Sequence, residues 1–344
     1  MKKSILLICL SLFVINYLKS QTATVKLGPK LKDSKRSQLS GYIGKDDQNY
    51  FVGKATFVGL FNYDNFIESL NSNLEKENSV ELTVREKNRK VTKTLGKILM
   101  LDDKIFTFFI ITDLESKTNS FVMNELNKSS LLSENEDRTL FEYSFEDGSK
   151  RNTGGFGFDL SYDSSKVLIY HSLPYSKDNP ERFGLAVFDK KLNKLWDKEI
   201  ELPYEDKLFS TRNFQVNNEG KVFILGKLYE DKAWDKKRGE VNYAFHVLSY
   251  SKNEKENFDI EVDPKSNFFN EMTMSVNTNN EVVCVGFYSA DYSSVSEGSF
   301  YVRIDSKTKK KVVENFMPFS ELVQENENEN DSERKKRENK TEYT

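Results

Sequence analysis

Three segments of this chain mix aromatic and cationic side chains with polar residues: HSLPYSKDNPERFG (171–184), KLYEDKAWDKKRGEVN (227–242) and YSADYSSVSEGS (288–299). They carry Tyr175 and Arg182, Trp234 and Arg238, and Tyr292. Trp234 stands between Lys232 and Lys237, an odd place for a ring whose burial is worth about 2 kcal/mol or more. Such a ring either stacks on a sugar or a protein partner, or folds back on its own sheet. These five residues form the candidate ligand-binding set.

Other reactive residue types give less. His171 and His246 are the only histidines, and neither has a Cys or His near it in sequence, so no zinc-ligand spacing is present and no metal is expected. Cys284 lies in EVVCVGFY, an apolar run that reads as a buried strand, and is expected to be a small core residue. The GGFG run (154–157) has no following helix of the kind a phosphate-cradling loop requires; its glycines fit a tight passage into a strand. No cofactor motif occurs. Asn127, Asn330 and Asn339 begin glycosylation sequons, which matter only in a eukaryotic host.

The elements that position these residues repeat. A polar turn followed by an apolar strand occurs five times: DDQNYFVG, LDDKIFTFF, YDSSKVLIY, NNEGKVFIL and NTNNEVVCV. The strands start at Tyr50, Ile105, Val167, Val222 and Val282, at steps of 55, 62, 55 and 60 residues. A second series of turns begins at Leu70, Leu126, Phe188, Leu248 and Ile304, at steps of 56, 62, 60 and 56. Two anchors keeping one step indicate an internal repeat, and the 26 Phe and 16 Tyr supply strand-favouring bulk.

Within VFDKKLNKLWDKEIELPY (187–204), Leu192, Leu195 and Trp196 have helical spacing, whereas Trp196, Lys198, Ile200 and Leu202 alternate as in a strand. The sister segments FDIEV (258–262) and VVENF (312–316) alternate without a helical stripe. The spacing therefore predicts a hairpin: a strand ending at Phe188, a turn over 189–194, and a strand in which Trp196 packs. One further strand precedes each polar turn (FGFDLSY, FQV, MTMSV), making four per unit. An all-β array of about five four-stranded antiparallel units of this length is a β-propeller pattern.

The combination of period, turn placement and "polar turn, KVLIY, long link, AVFDKKLNKLW" over about residues 35–320 resembles secreted bacterial β-propeller-like repeat proteins, and is faintly similar to the TolB-like blade. WD-repeat and Asp-box patterns are absent. Five units leave open a closed five-bladed ring, or an incomplete one in a chain that continues into further blades and has two exposed faces prone to association. In a propeller the long links share a face with the blade-to-blade connections, where binding residues gather. The resemblance also brings in enzymes that use paired carboxylates near the axis. Only Asp159 is an acid there; its counterparts are read as Gln215 and Thr273, and no catalytic residue is assigned.

The chain opens MKKSILLICLSLFVINYLKSQ, a basic start and apolar run that read as a signal peptide. The expected divisions are 1–20 signal peptide, 21–34 linker, 35–320 propeller-like domain and 321–344 polar tail, whose eight acids and five bases cannot form core. Loss of 1–20 removes three lysines and no acid, taking the formal charge from −3 to −6. That balance suits no nucleic-acid partner, and no membrane span remains after cleavage. The sequence thus points to a secreted or periplasmic, non-catalytic scaffold that binds a protein or glycan through its long-link face. A sensor module and a carbohydrate-active hydrolase are the alternatives. If Trp234 is a surface anchor, Trp234→Ala leaves thermal stability nearly unchanged, whereas a loss above about 2 kcal/mol would show that it packs in a core.

Overall fold

The computed structural model describes residues 36–319 other than 59–62, 84–89, 146–151, 176, 232–235, 238–239, 263–266 and 290–294, together with 25 and 27–29. The expected signal peptide, nearly all of the linker and the polar tail lie outside these residues. The described residues fall into two compact units, divided between Glu81 and Leu82. Among them no helix is long and apolar enough to cross a membrane; the sole helical element is a single 3-10 turn, Glu254–Glu256.

The first unit holds one four-stranded antiparallel sheet: β1 (Ser37–Lys45), β2 (Tyr50–Phe57), β3 (Tyr63–Leu70) and β4 (Lys76–Glu81). Phe51 and Ile67 are fully buried on one face, and on the other face Lys54 Nζ donates to a buried Glu68 Oε1 at 3.2 Å.

Four more sheets of the same order form the second unit. They are β5 (Val91–Leu101), β6 (Lys104–Asp113), β7 (Thr118–Leu126) and β8 (Arg138–Ser144); then β9 (Gly155–Leu160), β10 (Lys166–Ser172), β11 (Pro180–Asp189) and β12 (Lys194–Glu205). The third is β13 (Phe209–Val216), β14 (Val222–Tyr229), β17 (Tyr243–Tyr250) and β18 (Phe258–Val262), with a small side ribbon of β15 (Lys236–Lys237) and β16 (Glu240–Val241). The last is β19 (Phe268–Val276), β20 (Glu281–Ser289), β21 (Gly298–Asp305) and β22 (Lys310–Pro318). The described residues are all-β, with five four-stranded antiparallel sheets, and the four of the second unit stack as propeller-like blades.

The repeat anchors recur as a paired position in each sheet. Tyr50 pairs with Leu70, Ile105 with Leu126, Val167 with Phe188 and Val282 with Ile304. Val222 pairs with Tyr250, two residues beyond the Leu248 expected from spacing, because β17 runs on before its turn. The turns themselves are held by Asp or Asn side chains that accept from the backbone two to four residues on. Asp189 Oδ1 takes the N–H groups of Lys191 and Asn193, and Asn217 and Asn277 do the same in the first hairpins.

The second unit is held together by alternation. In β10, Val167 and Ile169 face the β5–β8 sheet with Phe106 and Phe108, while Leu168 faces the β13–β18 sheet with Val222 and Ile224. In β14, Phe223 and Leu225 turn the other way, onto Phe269, Val282 and Phe300 of the last sheet. Both faces of a middle blade are therefore apolar, and each must be covered. The last sheet has one covered face; on the other, Val285, Phe287 and Met317 remain exposed.

Residues 187–204 form the expected hairpin, without a helix. Trp196 on β12 is 9% exposed, packs in the cluster between the β9–β12 and β13–β18 sheets, and donates from Nε1 to Gly220 O at 3.0 Å. Trp196→Ala should cost about 3–5 kcal/mol in urea unfolding; a silent substitution would contradict this packing.

Candidate functional site

Residues 172–175 and 180–182, at the end of β10 and the start of β11, meet residues 152–154 before β9, Asp206 after β12, and 209–211 at the start of β13. Together they enclose a cleft of about 460 Å³. Its wall begins at Asn152, Thr153 and Gly154, continues through Ser172 to Tyr175 and Pro180 to Arg182, and closes with Asp206 and Phe209 to Thr211.

Each side of the cleft is fixed by the backbone. Asn152 clamps Tyr175 twice: Oδ1 accepts from Tyr175 N at 2.9 Å and Nδ2 donates to Tyr175 O at 3.1 Å. Tyr175 is 57% exposed and lines the cleft. Opposite it, Asp206 N donates to Asn179 O at 2.9 Å and Lys207 N to Lys177 O at 3.3 Å, strapping the link to the next connection. Lys207 Nζ lies 2.9 Å from Asp178 and also pairs with Glu205. At the rear, Asn119 and Tyr143 both donate to Thr153 O at 2.9 Å. Gly154 is required there: its φ is +74°, and a Cβ would sit 2.2 Å from Ser172 O.

The chemical centre of the cleft is a pair of acids 25 positions apart in sequence. Glu181 is half-buried and joined by a side-chain hydrogen bond to Asp206. Burial first, and then the bond and charge of Asp206, push the Glu181 carboxyl up to about 8, so it holds its proton at neutral pH. Arg182, one residue along β11, lines the same cleft.

Of the candidate residues, Tyr175 and Arg182 line one cleft, while Trp234, Arg238 and Tyr292 lie outside the described residues. Sequence reasoning missed Glu181 and Asp206. The available signal was the hairpin itself: β11 and β12 pair across the turn at 190–193, so the residues entering β11 must face those leaving β12. Register shifts at Pro180/Arg182 and Val187/Phe188 move the match and hide it from simple counting.

Asp159 has a structural role. Its Oδ2 accepts from Val216 N at 2.9 Å, and in the next blade Gln215 Oε1 accepts from Val276 N at 2.8 Å. The two side chains are equivalent clips between neighbouring inner strands. Register places Ser275 third in this series, paired with Val283 as Asp159 is with Leu168 and Gln215 with Phe223; this corrects the counterpart Thr273. Cys284 is buried, and burial pushes its thiol up to about 12. His246 Nδ1 lies 2.7 Å from Asp259 Oδ1, and Tyr204 donates to Asp259 Oδ2 at 2.7 Å. Burial works against ionised Asp259, but these two bonds outweigh it and hold the carboxyl below its usual range. Among the described residues no group of three or more His, Cys, Asp or Glu is placed to hold a metal ion.

A second cleft of about 530 Å³ lies on the turn side, between the β5–β8 and β9–β12 sheets. Three of its cations are engaged: Lys190 with Asp102 at 2.6 Å, Lys104 with Glu125 at 2.8 Å, and Arg138 with Leu192 O at 3.0 Å.

No family model matches this chain, and no curated protein matches it. Solved structures similar to it include the β-propeller domain of the Trilobed protease from Pyrococcus furiosus, described as having an open velcro topology (13% identity, TM-score 0.41, covering 83% of this chain and 72% of that one). Prolyl oligopeptidase B from Galerina marginata is similar at 10% identity and TM-score 0.44, covering 83% of this chain and 36% of the other. A polysaccharide lyase of the PL25 ulvan lyase family matches at 9% identity and TM-score 0.44, covering 84% and 72%. The chain spans about a third of the length of the prolyl oligopeptidase.

Behind the cleft, His171 is 1% exposed and stacks on Tyr143 at 4.3 Å between centroids. Burial lowers it from 6.5 to about 4. The unfolded chain therefore takes up a proton between pH 6.5 and 4 that the folded chain refuses. Stability present above pH 6.5 should fall by about 3 kcal/mol over that window. His171→Leu should remove this step from unfolding curves measured at pH 7 and pH 4; an unchanged slope would contradict the buried neutral ring.

Proposed function

We propose that this protein is a secreted or periplasmic, non-catalytic propeller scaffold that binds a protein or glycan through its long-link face. The observation that carries the reading is the cleft on that face: it gathers Tyr175 and Arg182, picked out by residue type, on a wall tied to two blades. An aromatic side chain beside a few placed polar groups is a combination that ligand sites use to fix orientation and specificity.

The acid pair is read as part of recognition and not of hydrolysis. Glycosidases keep their carboxyl groups about 5–5.5 Å apart for a covalent route or about 6.5–9.5 Å apart to admit a water. Two carboxyls that share a hydrogen bond are read here as a recognition pair. The pair also lies where β11 begins and β12 ends.

The test is to offer the purified chain to immobilised glycans and secreted or surface proteins, and to map the bound form by hydrogen exchange. Protection is expected at 172–182 and 206–211, with Tyr175→Ala binding roughly tenfold more weakly, as for one aromatic anchor. Protection confined to the turn side would overturn the assignment.

A further inference from the structure

We propose that the link-face cleft takes a neutral saccharide, and that Glu181 and Asp206 read its hydroxyls as one hydrogen-bonded carboxyl pair. This rests on the scaffold reading above and names its ligand class.

The argument is one of charge and hydrogen-bond type. A carboxyl bonded to a carboxylate carries one negative charge between the two groups and presents both a donor and acceptors. Arg182 in the same lining brings one positive charge. The other charges around the pair are matched among themselves: Lys207, from the connection after β12, holds Asp178 of the link and Glu205 at the end of β12. Hydrogen bonds to Glu205 and Asp178 raise the Lys207 ammonium above its ordinary value, so it stays charged. The lining is thus balanced. An amine or guanidinium ligand would meet Arg182, and a phosphate or sulfate would meet two acids.

The remaining lining is hydroxylic or flat. Ser172, Ser210 and Thr211 offer hydroxyls, and Tyr175 offers a ring held by Asn152 at its backbone. A sugar hydroxyl donates and accepts at once, as the shared-proton pair does, and a pyranose has an apolar face for a ring. The cleft's 460 Å³ falls within the roughly 300–1,000 Å³ of small-ligand sites.

The pair makes the site sensitive to pH. As pH rises through 8, Glu181 loses its proton, the donor disappears, and two carboxylates face each other across the strap from Asp206 N to Asn179 O. Saccharide binding should then fail. Burial of the acid form also means that stability contributed by Glu181 declines between its ordinary range near 4.5 and its folded value of about 8.

The experiment is a calorimetric titration of the full chain with cellohexaose, mannohexaose, laminarihexaose and chitohexaose at pH 6 and pH 9, with thermal melts confirming that each variant folds. Binding of at least one hexasaccharide is expected at pH 6, at least tenfold weaker at pH 9. Glu181→Gln, which keeps a donor and an acceptor, should bind alike at both, and Glu181→Ala weakly at both. No binding by any hexasaccharide, indifference to pH and to Glu181→Ala, or tighter binding of spermine at pH 9 would each overturn the proposal. A ligand that depends on Tyr175 but ignores Glu181 would sink this inference and leave the scaffold reading intact. A ligand that ignores Tyr175 and protects only the turn side would sink the scaffold reading itself.

Discussion

The second unit depends on the middle sheets having two apolar faces. Val167 and Ile169 point one way from β10 and Leu168 the other, each at 1% exposure or less. A twisted sheet of this kind is unstable alone, because water would meet large apolar side chains on both sides. Each middle blade of the second unit is completed by the two beside it, and the four blades of that unit stack in chain order. Where the described blades end, the cost is visible: Phe287 is 46% and Met317 51% exposed.

This constraint also decides where polar chemistry can be. The strands between blades have little room for unpaired polar groups, and those present are engaged. Asp159 illustrates it: burial raises its carboxyl, opposed by the bonds from the Val216 and Leu160 backbones, and its oxygen completes the hydrogen bonding of the neighbouring inner strand. Gln215 does the same work without a charge. The clip thus needs an acceptor, not an acid. Groups available to a ligand are left to the connections, where a link and two blade-to-blade segments converge and Tyr175, Glu181, Arg182 and Asp206 come within one cleft.

Much of the architecture was legible because its signals are local and repeated. A single blade gives an ambiguous segment such as 187–204; five copies show which period persists, since packing between sheets demands the same alternation each time. The reading of Trp196 as a packing residue and of GGFG as a tight entry to a strand followed from that. Errors came where backbone geometry departs from counting. Two further residues in β17 move its turn beyond Tyr250, the unbroken register back from Val282 puts Ser275 in the place read for Thr273, and two bulges in the β11–β12 ladder conceal the meeting of Glu181 with Asp206.

The sequence by itself determined the strand content, the repeat and the identity of the core, because alternation and turn chemistry act over a few residues. It also singled out Tyr175 and Arg182 by their type and setting, and both line one cleft. Only the tertiary structure decided which charged groups neutralise one another: that Glu181 faces Asp206, that Lys207 is taken by Asp178 and Glu205, and that Asp159 is a clip. Electrostatic partnership depends on distances across a ladder and between blades, and a shift of one residue in register changes the partner without altering the pattern of apolar residues.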